Sequence, residues 1–139
     1  MFNLGIIGAG SIVYSHLDVI NKISALNLYG ITSKTNSNCK KLSKKYKIKK
    51  IFSHYLDMVK DKKINAIILL VPPDQVLKIC KDIAKFKKPI FIEKPIGMNF
   101  NETLQINNLF KKNKILNMVG LNRRFYSIFE KAIDIIIKN

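Results

Sequence analysis

The segment Gly8-Ala9-Gly10-Ser11-Ile12-Val13 has the make-up of a turn that receives an anion. Gly8 permits a tight turn, and Gly10, lacking a side chain, lets a phosphate group approach the backbone. A helix opening at Ser11 and Ile12 would add free N–H groups and the positive end of its dipole. A second segment, Glu93-Lys94-Pro95, presents a lysine whose backbone the following proline holds extended. Such a lysine can hydrogen-bond a substrate hydroxyl and stabilise its oxygen as a carbonyl forms, with Glu93 orienting it. The plainer reading is a surface ion pair beside a turn. Gly120-Leu121-Asn122-Arg123-Arg124-Phe125 adds amide and guanidinium donors, either for a bound polar group or as solvated residues at a helix start. Val71-Pro72-Pro73-Asp74 is a sharp strand stop in which Asp74 is placed to cap the next helix. Val71, Pro72 and Pro73 also fall where they would wall a crevice.

Each of these segments follows a run of β-type residues, and the rest of the chain must supply that arrangement. Short apolar runs alternate with amphipathic patterns throughout. Strands are expected over 3–8, 26–33, 50–53, 64–71, 89–93 and 114–120. Helices are expected over 11–23, 38–46, 55–61, 99–112 and 125–137, and another carries the stripe Val76, Ile79, Cys80, Ile83 and Ala84. Asn99 with Glu102 three residues on has capping-box spacing. Strand–helix alternation implies an α/β fold: a doubly wound parallel sheet of Rossmann type between two helical layers, with ligands bound at the strands' C-terminal ends.

Composition bounds the partners. At 139 residues with 47% apolar types, the chain suits one globular domain. No apolar run nears the ~20 residues of a membrane span, and no basic leader opens the sequence, so a cytoplasmic protein without membrane attachment is expected. Cys39 and Cys80 lack metal-ligand spacing and read as reduced thiols; no metal is expected. The formal charge of +16 comes almost wholly from dispersed lysines, with Arg123 and Arg124 the only arginines. Base-reading proteins use arginine for bidentate contacts, so specific nucleic-acid binding is not expected. The field instead favours anionic ligands such as a dinucleotide diphosphate.

A strand–glycine turn–helix at the head of a βα alternation points to a dinucleotide site. An NAD site commonly places an acid ~20 residues past the turn to hold the ribose 2′-OH. No Asp or Glu occurs between Asp18 and Asp57, and the second strand ends in Thr32-Ser33-Lys34-Thr35. The hydroxyls and lysine of Ser33, Lys34 and Thr35 suit a 2′-phosphate, so NADP is preferred over NAD. The third fingerprint position, usually Gly or Ala, is Val13, which is expected to push the helix outward or change its packing.

These residues together resemble the N-terminal domain of the glucose-fructose oxidoreductase/inositol dehydrogenase family. The resemblance rests on Gly-Ile-Ile-Gly-Ala-Gly-Ser-Ile from Gly5 to Ile12, with His16 a helical turn beyond. It rests also on the run from Asn65 to Pro73, on Pro89-Ile-Phe-Ile-Glu-Lys-Pro95, and on Asn122-Arg-Arg-Phe125. It implies NAD(P)-dependent oxidation or reduction of a CH–OH group in a sugar, sugar nucleotide or polyol. Lys94 would match the active-site lysine, and Asn122 or Arg124 would lie near the nicotinamide. The family carries Thr or Ser at Val71 and His at Val76. It continues into a second domain with a catalytic histidine and the dimer surface, which would make the full-length form a homo-oligomer. On this reading residues 1–121 are the dinucleotide domain. Residues 122–139 are a hinge and a first helix toward an absent domain, and the isolated chain turns over little or no substrate. The alternatives are a non-catalytic nucleotide-binding or redox-sensing module and a charge-driven nucleic-acid binder.

Overall fold

A computed structural model describes residues 1–138. The elements β1 (Phe2–Ile7), α1 (Ile12–Ile20), β2 (Leu26–Thr32), α2 (Asn36–Tyr46), β3 (Lys50–Ile51), α3 (Tyr55–Lys60), β4 (Ala66–Leu69), α4 (Pro73–Ile83), β5 (Ile90–Ile92), α5 (Phe100–Asn113), β6 (Asn117–Val119) and α6 (Ser127–Lys138) alternate along the chain. The strands form one sheet in the order β3-β2-β1-β4-β5-β6, with every adjacent pair parallel. This is the doubly wound Rossmann order.

Strand alternation divides the core into two layers. Leu4, Ile6, Ile68 and Leu70 face one way, against Val13, Leu17 and Ile20 of α1 and Cys39, Leu42 and Tyr46 of α2. Ile7, Ile67, Leu69, Ile90 and Ile92 face the other way, against α3, α4 and α5. Because both faces of the sheet are covered around β1 and β4, these strands are continuous apolar runs. On the α1–α2 side, cover fails toward β6: Leu116 is 75% exposed and Met118 49%.

Boundaries differ from the sequence reading in instructive ways. α1 stops at Ile20, and its apolar period continues through tighter turns in which Lys22 and Ile23 donate to Val19 and Ile20. The ladder of β4 is shorter than its apolar run, which is buried on both flanks at Ile64 and Leu70. Asp74 does not cap α4: Pro72 is the cap residue and Asp74 lies in the first turn, where its charge suits the dipole. Asn99 does cap α5, accepting from the Glu102 N–H at 3.0 Å, but Glu102 reaches back to the N–H of Met98 rather than that of Asn99.

The chain turns out of α2, of the 3-10 turn Ala84–Phe86 and of α5 on lysines in the left-handed conformation: Lys47 (φ 54), Lys87 (φ 52) and Lys114 (φ 54). Glycine is the residue suited to this position. Lys114→Gly is therefore expected to raise the unfolding free energy by about 0.5–1 kcal/mol, read from the urea midpoint at unchanged slope.

Both cysteines are buried, and burial pushes the Cys80 thiol up to about 12 and raises that of Cys39. Neither thiol is expected to react with a disulfide reagent at pH 8 until the chain unfolds, when both should titrate.

Candidate functional site

β1 and β4 lie side by side at the point where the crossovers depart in opposite directions, toward α1 on one face and α4 on the other. The turns leaving the C-terminal ends of β1, β4, β5 and β6 meet around a cleft of about 480 Å³. Its lining is Gly10, Ser11, Ile12, Leu70, Val71, Pro72, Glu93, Lys94, Asn122, Arg123 and Tyr126. Segments up to 110 residues apart in sequence thus converge on one opening.

The turn after β1 has the properties of an anion cradle. Gly8 adopts φ +117, and a Cβ there would stand 2.1 Å from the Leu70 carbonyl oxygen, so the close approach of β1 and β4 requires glycine. A Cβ on Gly10 would meet no atom within 4 Å, because it would project into the open cleft. Ser11 makes no side-chain cap. Among the described residues, the N–H groups of Gly10, Ser11 and Ile12 have no hydrogen-bond partner. Three uncapped donors at the positive end of a nine-residue helix face the cleft. Val13 is fully buried between β1 and α1, so α1 takes this larger side chain into the core beside Leu17 and Ile20.

Lys94 is exposed, and its ammonium has no recorded partner among the described residues. Glu93 does not pair with that ammonium. Its Oε2 accepts the backbone N–H of Lys94 at 2.9 Å, and its Oε1 lies 2.9 Å from Nε2 of His16. The ion pair of the plainer reading is not formed between these two side chains, and the contact of Glu93 with Lys94 is to its backbone. The Lys94–Pro95 peptide is cis.

In the β6 turn it is Arg123, not Arg124, that lines the cleft. Asn122–Phe125 winds as a 3-10 helix, in which residues three apart eclipse. Arg123 and Tyr126 therefore share a face and line the cleft, whereas Arg124 points elsewhere, its guanidinium 5.6 Å from the Phe125 ring centroid. Asn122 lines the cleft as expected. Gly8 and Pro73 shape its walls without lining it. Ser33, Lys34 and Thr35 lie beyond it, at the end of β2. There Ser33 Oγ accepts the Thr35 N–H, and Asn38 ties α2 to the Ala9 carbonyl. Val76, where the resemblance implies histidine, is 1% exposed in the core and does not reach the cleft.

His16 is the residue that sequence reasoning left without a role. Its signal was a polar ring next to the apolar stripe Val13, Leu17 and Ile20, where it is half-buried while Ser15 and Asp18 are exposed. Among the described residues no cluster of His, Cys, Asp and Glu could hold a metal, and no helix is long and apolar enough to cross a membrane.

The profile of an oxidoreductase family with an NAD-binding Rossmann fold matches residues 2–121. The YrbE oxidoreductase of Bacillus subtilis is 34% identical over 135 residues, which are 97% of this chain and 39% of YrbE. Myo-inositol 2-dehydrogenase of Thermotoga maritima is 25% identical over 128 residues, 92% of this chain and 38% of the relative. The structure of scyllo-inositol dehydrogenase from Lactobacillus casei, with bound NAD(H) and scyllo-inositol, superposes with a TM-score of 0.89 at 24% identity. That match covers 99% of this chain and 41% of the other. The chain spans only 38–39% of the length of these two curated relatives.

Proposed function

The chain belongs to the glucose-fructose oxidoreductase/inositol dehydrogenase family of oxidoreductases, those with an NAD-binding Rossmann fold, and on that premise we propose that it is the cofactor-binding domain of a dehydrogenase acting on a CH–OH group of a sugar, sugar nucleotide or polyol. The observation that carries the reading is the uncapped start of α1, whose free N–H groups open beside Lys94 in one cleft. Inositol relatives support a polyol within the broader class.

The residues fit a nicotinamide dinucleotide. The N–H groups of Gly10, Ser11 and Ile12 would hold the diphosphate, with room left by the missing Gly10 side chain. Val71 and Pro72 form one wall, and Asn122 and Arg123 supply donors opposite. The bound cofactor supplies the hydride acceptor or donor. Lys94 would donate to the substrate oxygen and stabilise the charge it gains as the proton leaves. Residues 1–121 act as the dinucleotide domain, and 122–139 lead toward a substrate-binding domain such as the remaining length of the relatives provides. The bare sheet face around Leu116 and Met118 and the exposed Ile128, Ile133 and Ile136 of α6 support a docking partner of that kind. Since positioning two reactants supplies much of the rate, the isolated chain should bind nucleotide yet turn over little substrate.

NADP is the preferred cofactor. Lys34 is exposed at the end of β2, and the nearest preceding acid, Asp18, is engaged by the Tyr46 hydroxyl at 2.7 Å. A titration following the fluorescence of the reduced nicotinamide should show NADPH binding more tightly than NADH, with Lys34→Ala removing the difference. Tighter NADH would refute the 2′-phosphate assignment, and absence of both would refute the cofactor reading.

A further inference from the structure

His16 and Glu93 lie 77 positions apart, and their contact joins two functional segments. His16 sits one helical turn beyond Ile12, on the same nine-residue helix whose start would hold the diphosphate. Its ring packs edge-on against Phe91, with centroids 5.4 Å apart, and its Nε2 meets Glu93. With Glu93 ionised, Nε2 is the donor. The side chains are only 22% and 18% exposed, so water screens the pair incompletely. Glu93 is held from a third side as well: a Cβ on Gly120 would stand 3.1 Å from its carboxyl carbon and Oε1. With Oε1 held by His16 and Oε2 by the Lys94 N–H, both oxygens of the carboxylate are tied to the protein.

We infer that His16 is a positioning residue for Lys94, tying the helix of the glycine turn through the Glu93 carboxylate to the backbone of the lysine. The inference rests on the reading of Lys94 as the group that meets the substrate oxygen. A shift of α1 as its first turn takes up a diphosphate is carried by His16 to Glu93, and from there to Lys94. Other charged groups nearby are engaged elsewhere. On α1 itself, Asp18 pairs with Tyr46 and Lys45, and Tyr14 lies under Lys45. β5 presents Phe91, the neighbouring sheet face presents Leu4, Ala66 and Ile68, and α1 itself adds Ile20. Glu93 is thus the charged group recorded facing the imidazole, with the Lys94 ammonium next along the chain.

The test is a pH titration of the whole chain, following the ring signals of His16 and the backbone amide of Lys94 by NMR. The Lys94 amide should move with the same midpoint as the His16 ring. In His16→Gln, which keeps a donor toward Glu93, the amide should hold its high-pH position and stop moving over that range. Glu93→Gln should leave His16 titrating and the Lys94 amide still. Addition of NADPH should shift the Ser11 and Lys94 amides together in the wild type, and in His16→Leu the Lys94 shift should shrink to the part that the nearby nicotinamide itself causes while the Ser11 shift is kept. A Lys94 amide that stays fixed while His16 titrates overturns the inference. If NADPH moves neither amide while the titration link persists, the cofactor reading fails and the positioning role stands.

Discussion

Gly8→Ala is expected to destabilise the chain by about 3–5 kcal/mol, a large part of the roughly 5–15 kcal/mol that holds a domain of ordinary size together. The new methyl would sit 2.1 Å from the Leu70 carbonyl oxygen and 2.7 Å from its carbon, both backbone atoms that belong to the central strand pair. No rotamer change relieves such a clash, so β1 and β4 must separate at their C-terminal ends. The residue must also hold φ +117, outside the range alanine adopts without strain. Urea unfolding followed by circular dichroism would read the effect. The Gly8 N–H bond to Thr32 and the Leu70 N–H bond to Ile7 make this the junction of three strands. A near-neutral result would mean that the turn relaxes in a way the present backbone does not show.

Gly10→Val is expected to do the opposite: leave stability within about 0.5 kcal/mol and abolish nucleotide binding. A Cβ at Gly10 meets no atom within 4 Å, so the fold has no objection to a side chain there. The space it would fill is the space a diphosphate needs to reach the N–H groups of Ser11 and Ile12. Affinity for NADPH should fall by about two orders of magnitude or more, about 2.7 kcal/mol. Calorimetry on the variant and the wild type would measure it, with urea unfolding as the control for folding. The two glycines stand two positions apart and differ in kind: one is required by the protein's own backbone, the other by a ligand.

The doubly wound sheet was legible because β1 and β4, covered on both faces, leave largely apolar runs that alternate with amphipathic helical patterns. The glycine turn, Lys94 and Asn122 were legible as candidates because each lies in the turn after a strand, at the sheet's C-terminal edge. The placing of Arg123 in the cleft was not, since Arg124 was put near the nicotinamide by the resemblance alone, and which of two neighbouring arginines faces the cleft depends on the local winding of Asn122–Phe125, a 3-10 turn. Nor was the His16–Glu93 contact, which depends on β5 lying across from α1 once the sheet has formed. Asp74 was read as a cap by its type, but the two prolines before it set where α4 begins.

The central claim is that the cleft at Gly10 and Lys94 is a dinucleotide site. A crystal of this chain grown or soaked with millimolar NADPH tests it directly. The expected result is diphosphate oxygens within hydrogen-bond distance of the Ser11 and Ile12 N–H groups, with the nicotinamide ring beside Lys94. A map showing these donors bound only to solvent at that concentration, or the nucleotide lodged elsewhere, would contradict it.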